Sequence, residues 1–271
     1  MGRSQRSSVQ KYHDRVAVRY DHSYDDPFWL WHDGLTWDHL KTFLPRDSRA
    51  RVVDLGCGTG KWGVRLLKSG FAVTFLDISH QMIDQARRKA GDMVCLDRAD
   101  FIQADLSDLS RLPAGEFSLA VALGEPIGCT PAPARTMKEI RRILTEDGIL
   151  LATFDNRLAT IDFYVERGDA AEIARFLKDG KTHWLTKDRE ERFDLITFSP
   201  EGVRKLVEGA GFQLLDMIGK TVLPMRHHRE LLADSAARRR WAKMEKSLCR
   251  EPAAIGRAPH IQVACRARPK T

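Results

Sequence analysis

The sequence predicts an α/β domain built on an open, doubly wound, mostly parallel sheet, and three observations predict it. Short apolar runs recur along the chain and are separated by stretches with helical spacing. Successive runs end in an acidic residue or a glycine: Asp54 after Val52 and Val53, Asp77 after residues 71–76, Asp105 after residues 101–104, and Gly124 after residues 117–123. The first of these opens Asp54-Leu55-Gly56-Cys57-Gly58-Thr59-Gly60, whose alternate glycines let a strand turn sharply into a helix and bring bare backbone against a ligand. Ligands of such sheets bind beyond the C-terminal ends of the strands. Polar tips on four successive strands therefore describe one crevice.

Residues 1–45 read as an N-terminal helical lid and 46–271 as the main domain. Tyr12, His13, Val16, Ala17, Tyr20 and Tyr24 have helical spacing, and Pro27-Phe28-Trp29-Leu30-Trp31 follows with four bulky groups. His22, His32 and His39 with Asp33 and Asp38 lack any metal-ligand spacing, so no metal is expected. After a fifth strand (149–154), residues 156–198 interrupt the pattern as an inserted cap: helical spacing over 158–177, a stop at Gly180, then two short strands at 183–186 and 192–198. A helix opens at Pro200 and breaks at Gly211, and Phe212 restarts a strand. Residues 225–255 read as a helical insert before a final strand over 259–266.

Two other nucleotide-binding readings compete for the glycine run. Gly58-Thr59-Gly60-Lys61-Trp62-Gly63 also fits a dinucleotide fingerprint, a weak signal alone. A P-loop is excluded, since Leu55 stands where its first Gly is required and Trp62 where Ser or Thr is required. An acidic tip at Asp77 serves a ribose diol in either cofactor class, but Asp105 at the third tip suits an adenine amino group. Asp54 before the glycines adds a carboxylate that favours a ligand with positive charge and amino-acid groups.

These pieces, together with Leu76-Asp77-Ile78-Ser79, Ala104-Asp105-Leu106 and Ile140-Arg141-Arg142-Ile143-Leu144 with Gly148, resemble the class I (Rossmann-like) S-adenosylmethionine-dependent methyltransferases of the small-molecule type. The resemblance is strong over about residues 50–155. It implies a seven-stranded sheet with the last strand antiparallel. By the same resemblance Asp54, Gly56, Gly58 and Gly60 would line the methionine end of S-adenosylmethionine, Asp77 the ribose, and Asp105 with Leu106 the adenine. Ile78 and Leu123 complete the expected cofactor set, and Tyr20 resembles the lid tyrosine that shields the sulfonium. Two departures stand out. Glu146-Asp147-Gly148 replaces the usual Pro-Gly-Gly turn, and Gly124-Glu125-Pro126-Ile127 replaces the Asn/Asp-Pro-Pro-Tyr of DNA amino-methyltransferases.

The expected activity is methyl transfer to a small molecule, with Glu125 the candidate base at the crevice mouth and His227 and His228 second candidates. Phe28, Trp29, Phe163, Tyr164 and Trp184 are expected to wall the acceptor pocket. The alternatives are an rRNA or tRNA methyltransferase and a non-catalytic S-adenosylmethionine-binding protein. A net charge of +7 invites the nucleic-acid reading, but Arg238-Arg239-Arg240 with Lys243 and Lys246 alternates with Glu245 as a solvated helix face does. Five widely spaced cysteines form no C-x-x-C pair and no disulfide framework, and no apolar run is long enough to cross a bilayer. A cytoplasmic protein without a membrane partner is expected; the oligomeric state is left open.

Overall fold

The computed structural model describes residues 2–92, 96–168, 170–184 and 191–269, with side chains from Ser8 onward. Before the sheet come α1 (Gly2–Val16), a single turn of 3-10 helix (Asp21–Tyr24) and α2 (Pro27–Lys41). Asp26 starts α2: its Oδ1 accepts hydrogen bonds from the amides of Phe28 at 2.8 Å and Trp29 at 3.1 Å, while Pro27 has no amide proton to leave unbonded. Strand and helix then alternate through β1 (Arg51–Leu55), α3 (Lys61–Lys68), β2 (Ala72–Asp77), α4 (His80–Gly91) and β3 (Ala99–Gln103). β4 (Phe117–Ala122), α5 (Pro133–Ile143) and β5 (Leu144–Asp155) complete the parallel part.

The inserted segment contains α6 (Arg157–Glu166), α7 (Ala170–Asp179) and the small antiparallel pair β6 (Lys181–His183) and β7 (Asp194–Ile196). α8 (Pro200–Gly209) and β8 (Phe212–Lys220) return to the main sheet. Two 3-10 turns, α9 (Ser235–Leu248) and α10 (Pro252–Arg257) precede β9 (His260–Ala267).

The seven strands lie in the order β3-β2-β1-β4-β5-β9-β8, with β9 antiparallel to both neighbours, as the sequence predicts. This reversal matters for the site. β9 begins at the edge where the parallel strands end, so His260 is the register partner of Asp155. Alternate residues face opposite layers: Val53 and Leu55 join the core under α5 and α8, while Val52 joins the core under α3 and α4. The second layer is tight enough that a Cβ on Gly63 would stand 2.1 Å from Cε1 of Phe75, whose ring stacks on Phe101 at 4.9 Å.

Three local expectations change. The helical spacing over 158–177 breaks into α6 and α7 around Gly168, which has φ of +68°. Residues 144–148 join β5 through an irregular turn, with Asp147 at φ of +60° and the register against β4 shifting between Phe117 and Leu119. The 225–255 segment opens with two 3-10 turns and becomes α-helical at Ser235. Residues 185–190, where the first short strand was expected to end, lie outside the described residues.

Candidate active site

The glycine run folds as its composition requires. Gly56, Gly58 and Gly60 all have positive φ, at 67°, 52° and 83°, where a side chain would be strained. Gly60 caps α3, and the amides of Gly56 and Cys57 donate to the carbonyl of Leu76, joining the loop to the tip of β2.

The first three acidic tips are engaged by backbone. Asp54 is completely buried; its Oδ2 accepts from the Gly63 amide at 2.7 Å, and its Oδ1 is buried without a partner. Burial, with Asp77 adding repulsion, pushes its carboxyl up to about 7. Asp54 thereby holds the start of α3 against the glycine loop, at the end of the loop expected to meet the methionine group. Asp77 accepts from the Gly58 amide at 2.8 Å and the Ser79 amide at 2.9 Å. Burial raises its carboxyl, opposed by nearby His13 and the two amides. Asp105 accepts from the amide and hydroxyl of Ser107, closing the turn that leads to buried Leu106.

The N-terminal segment lies over these tips. Ser79 Oγ donates to Asp14 at 2.5 Å, Thr59 Oγ1 donates to Asp21 at 2.6 Å, and Lys89 pairs with Asp21 at 2.5 Å. Val9 of α1 packs with Phe193 and Leu195 of the insert, and Tyr12, Ile78 and Cys129 join that cluster. An ion pair between Arg19 and Glu191 at 3.0 Å ties the same two segments. The N-terminal segment and the insert thus meet above the ends of β2 and β4.

Tyr20 and Tyr24 face one another at 5.0 Å, and Tyr24 meets Trp29 edge-on at 5.0 Å. Burial drives both phenols up, and the negative charge of Glu125 adds to the shift of each. Of the other aromatics expected to wall a pocket, Phe28 is buried with Trp31, Leu35, Met225 and Leu232, and Tyr164 against Phe176 and Thr182. Trp184 stacks on Phe193 at 5.9 Å, and Phe163 lies under the guanidinium of Arg167.

Glu125 sits at φ of +61°, a strained conformation for a residue with a side chain, and its amide and that of Gly124 both donate to Thr153 Oγ1 of β5. Its carboxylate comes together with Asp155 and His260: one ligand-type atom of each lies within 4.8 Å of the others. Burial and the adjacent Glu125 push the Asp155 carboxyl well above its usual range. Burial lowers His260 despite Glu125, so its imidazole is held neutral.

Beside them is Lys220, only 2% exposed, with Nζ donating to Thr36 Oγ1 at 2.6 Å and Gln262 Oε1 at 3.1 Å. Burial lowers it to about 8, against the pull of Glu125 and Asp33. Gln262 continues to His39, which bonds Asp216 at 3.1 Å. Burial would raise Asp216, but His39 and Arg250 outweigh it and hold it below the usual carboxylate range. A cavity of about 200 Å³ between α2, β8 and α9 shares Lys220 with this network and touches none of the glycine-loop residues.

Asp155, His260 and Lys220 escaped the sequence reading, because they lie at the ends of strands that carry no motif. His227 and His228, the second base candidates, are exposed. The His22, His32, His39, Asp33 and Asp38 group disperses: His39 turns to Asp216, Asp38 to Lys41 and Lys246, Asp33 to Lys61, and His22 to the surface.

Residues 52–148 match the model of a methyltransferase domain family. The chain carries a methyltransferase domain over these residues and shares its fold with solved S-adenosylmethionine-dependent methyltransferases. Among its relatives is YqeM of Bacillus subtilis strain 168, whose name carries methyl transfer and no acceptor; it is 24% identical over 66% of this chain and 84% of its own length. The ubiquinone biosynthesis O-methyltransferase of Xanthomonas axonopodis pv. citri is 28% identical over 67% of this chain and 70% of its own. The magnesium protoporphyrin IX methyltransferase of Synechocystis PCC 6803 shares the fold, with a TM-score of 0.61 and 15% identity over 97% of this chain and 99% of that one.

The residues of this methyltransferase fit the methyl donor. A Cβ built on Gly58 meets nothing within 4 Å, so open space lies beside that turn, and Gly124 at the fourth tip is likewise open. Among the described residues no helix is long and apolar enough to cross a membrane.

Proposed function

We propose that this methyltransferase acts on a hydroxyl of a small molecule. The carrying observation is the cluster in which the N-terminal segment and the insert meet over Ile78 and Cys129, just beyond the tips of β2 and β4. The aromatic group of Tyr20, Tyr24 and Trp29, with the carboxylate of Glu125 at the fourth strand tip, suits a compact acceptor. Exposed basic residues Arg239 and Arg240 lie instead on α9, which packs against α2 and the Arg229–Leu232 turn. The names of two relatives, one an O-methyltransferase of ubiquinone biosynthesis and one acting on a porphyrin, accord with a non-polymeric acceptor.

S-adenosylmethionine supplies a methyl group already activated on a sulfonium. In the proposed arrangement Gly56, Gly58 and Gly60 hold its amino-acid end, Asp77 with Ile78 the ribose, and Asp105 with Leu106 the adenine, while Leu123 closes the fourth tip. Tyr20 shields the reacting centre from water, and alignment and water exclusion then carry most of the rate. Glu125 is placed to receive the hydroxyl proton, with Asp155 and His260 beside it. Radiolabelled methyl transfer into fractionated metabolites and into RNA, run side by side, tests the reading. Label in the metabolite fraction is expected; label confined to RNA overturns it.

A further inference from the structure

Three side chains from distant parts of the chain meet at the tips of adjacent strands. Glu125 follows β4, Asp155 ends β5 and His260 opens β9, and the order β4-β5-β9 sets them side by side. Among the described residues neither carboxylate has a hydrogen-bond or ion-pair partner, and Nδ1 of His260 is buried without one. His32, 7% exposed, stands edge-on to His260 with ring centroids 5.4 Å apart. Neither ring nitrogen of His32 makes a hydrogen bond, its approach to Asp33 being 3.6 Å. Lys220 does not neutralise the pair directly, because its Nζ is committed to Thr36 and Gln262. Two adjacent carboxylates in a half-buried place cost free energy unless a proton or a cation is shared between them.

We propose that Glu125, Asp155 and His260 bind a divalent first-row transition-metal cation. With all three donor atoms inside 4.8 Å of one another, an ion at their centre stands at most about 2.8 Å from each, which is about 0.6–0.8 Å beyond transition-metal–ligand distances. Small side-chain rotations close that gap. Two oxygens and an imidazole nitrogen suit Mn²⁺, Fe²⁺ or Zn²⁺ better than Mg²⁺, and three protein ligands leave positions open. The role of the cation rests on the methyl-transfer reading above: it acidifies the acceptor hydroxyl. The proton passes to the carboxylate oxygen of Glu125 that the cation leaves free and from there to solvent, a bond forms from the oxygen to the methyl carbon, and the carbon–sulfur bond breaks with its electron pair staying on sulfur, releasing S-adenosylhomocysteine.

The test uses the full chain stripped with a chelator, Mn²⁺ titration followed by electron paramagnetic resonance, and calorimetry of S-adenosylmethionine on the same sample. One Mn²⁺ per chain is expected, displaced by Zn²⁺ far more readily than by Mg²⁺. Asp155→Asn should weaken Mn²⁺ binding roughly tenfold or more and leave the affinity for S-adenosylmethionine unchanged; His260→Gln serves if the first variant melts early. Absence of stoichiometric binding of both Mn²⁺ and Zn²⁺, or binding indifferent to both substitutions, overturns the site. Binding of S-adenosylmethionine without a cation defeats the cation site alone. Binding of Mn²⁺ without S-adenosylmethionine supports the cation site and defeats the methyl-transfer reading.

Discussion

The C-terminal edge of the sheet falls into two halves that treat their carboxylates differently. In the half built from β1, β2 and β3, Asp54, Asp77 and Asp105 all accept backbone amides within a few residues of the glycine loop or of their own turns. In the half built from β4, β5 and β9, Glu125 and Asp155 have no such partners among the described residues, and a buried lysine and two histidines surround them. A hydrogen-bonded carboxylate organises backbone; a partnerless one is available to a ligand. The first half fixes its carboxylates in advance of any ligand, and the second leaves its own uncommitted.

Substitution in the partnerless half should therefore harm turnover without harming the fold, and this is the largest effect expected. Glu125→Gln removes a proton acceptor and should lower kcat by roughly 10²-fold or more. S-adenosylmethionine binding measured by calorimetry should stay as it was. The melting temperature should hold or rise, because a like charge beside Asp155 disappears. A variant with full turnover would remove Glu125 from the chemistry, and one that unfolds would place it with the organising carboxylates.

Substitution in the bonded half should show the reverse balance. At Gly58 a methyl group meets no protein atom within 4 Å, yet φ is +52°, so Gly58→Ala costs roughly 1–2 kcal/mol of strain and puts a group into the open space proposed for the donor. S-adenosylmethionine affinity should fall on the order of a hundredfold, about 2.8 kcal/mol. A thermal-shift titration reads both effects: a modestly lower baseline melting temperature, and loss of the increment that the wild type shows at saturating donor. An increment equal to that of the wild type would put the donor elsewhere.

The halves also differ in how much of them the sequence discloses. The glycine run, Asp77 and Asp105 each announce themselves because a turn, a strand tip and their ligand chemistry lie within a few residues. Sheet order brings Glu125 beside residues 30 and 135 positions later, and no local pattern records that meeting. His260 in particular follows Pro259 at the start of an ordinary apolar strand, and only the antiparallel register against Asp155 gives it a neighbour. The count of seven strands and the reversal of the last were legible through the motif resemblance; their order came from the structure. The break between α6 and α7 was missed because a helical spacing continues across Gly168, whose φ of +68° stops the helix.

Lys220 offers a finer probe of the second half. Its folded-state value near 8 lies below that of an unfolded lysine, 10.5, so between these the unfolded chain binds more protons and this group makes stability rise with pH. Below pH 8 both states are charged and the buried ammonium carries its full cost, on the order of 3–4 kcal/mol. Lys220→Met should flatten that rise. Buried thiols and phenols such as Cys129 and Tyr20 work in the opposite direction toward pH 10, so the readout is the difference between wild type and variant in urea unfolding from pH 8 to 10. Equal slopes would mean that Lys220 is neutral or solvated in the folded protein.

The smallest effect is expected outside both halves, on α9. Arg238 caps the carbonyls of Leu232 and Ala233 through its Nη1 at 2.8 and 3.0 Å, which makes it part of the local structure, whereas Arg239 and Arg240 are exposed. Exposed charges are screened within about 8 Å at physiological ionic strength, so they act on the crevice only by holding a bound polyanion. For a small acceptor that never reaches α9, the double variant Arg239→Ala, Arg240→Ala should keep turnover and S-adenosylmethionine affinity within about twofold, with a melting temperature shifted by no more than what a surface change of about 0.5 kcal/mol produces. Its labelling of the metabolite fraction should be as insensitive to salt as that of the wild type. If methyl transfer instead drops steeply in this variant, and its deficit against the wild type shrinks as ionic strength rises, the polymer is what the basic helix holds, and the place beside Tyr20 and Tyr24 receives a single flipped-out nucleotide of an RNA rather than a free small molecule.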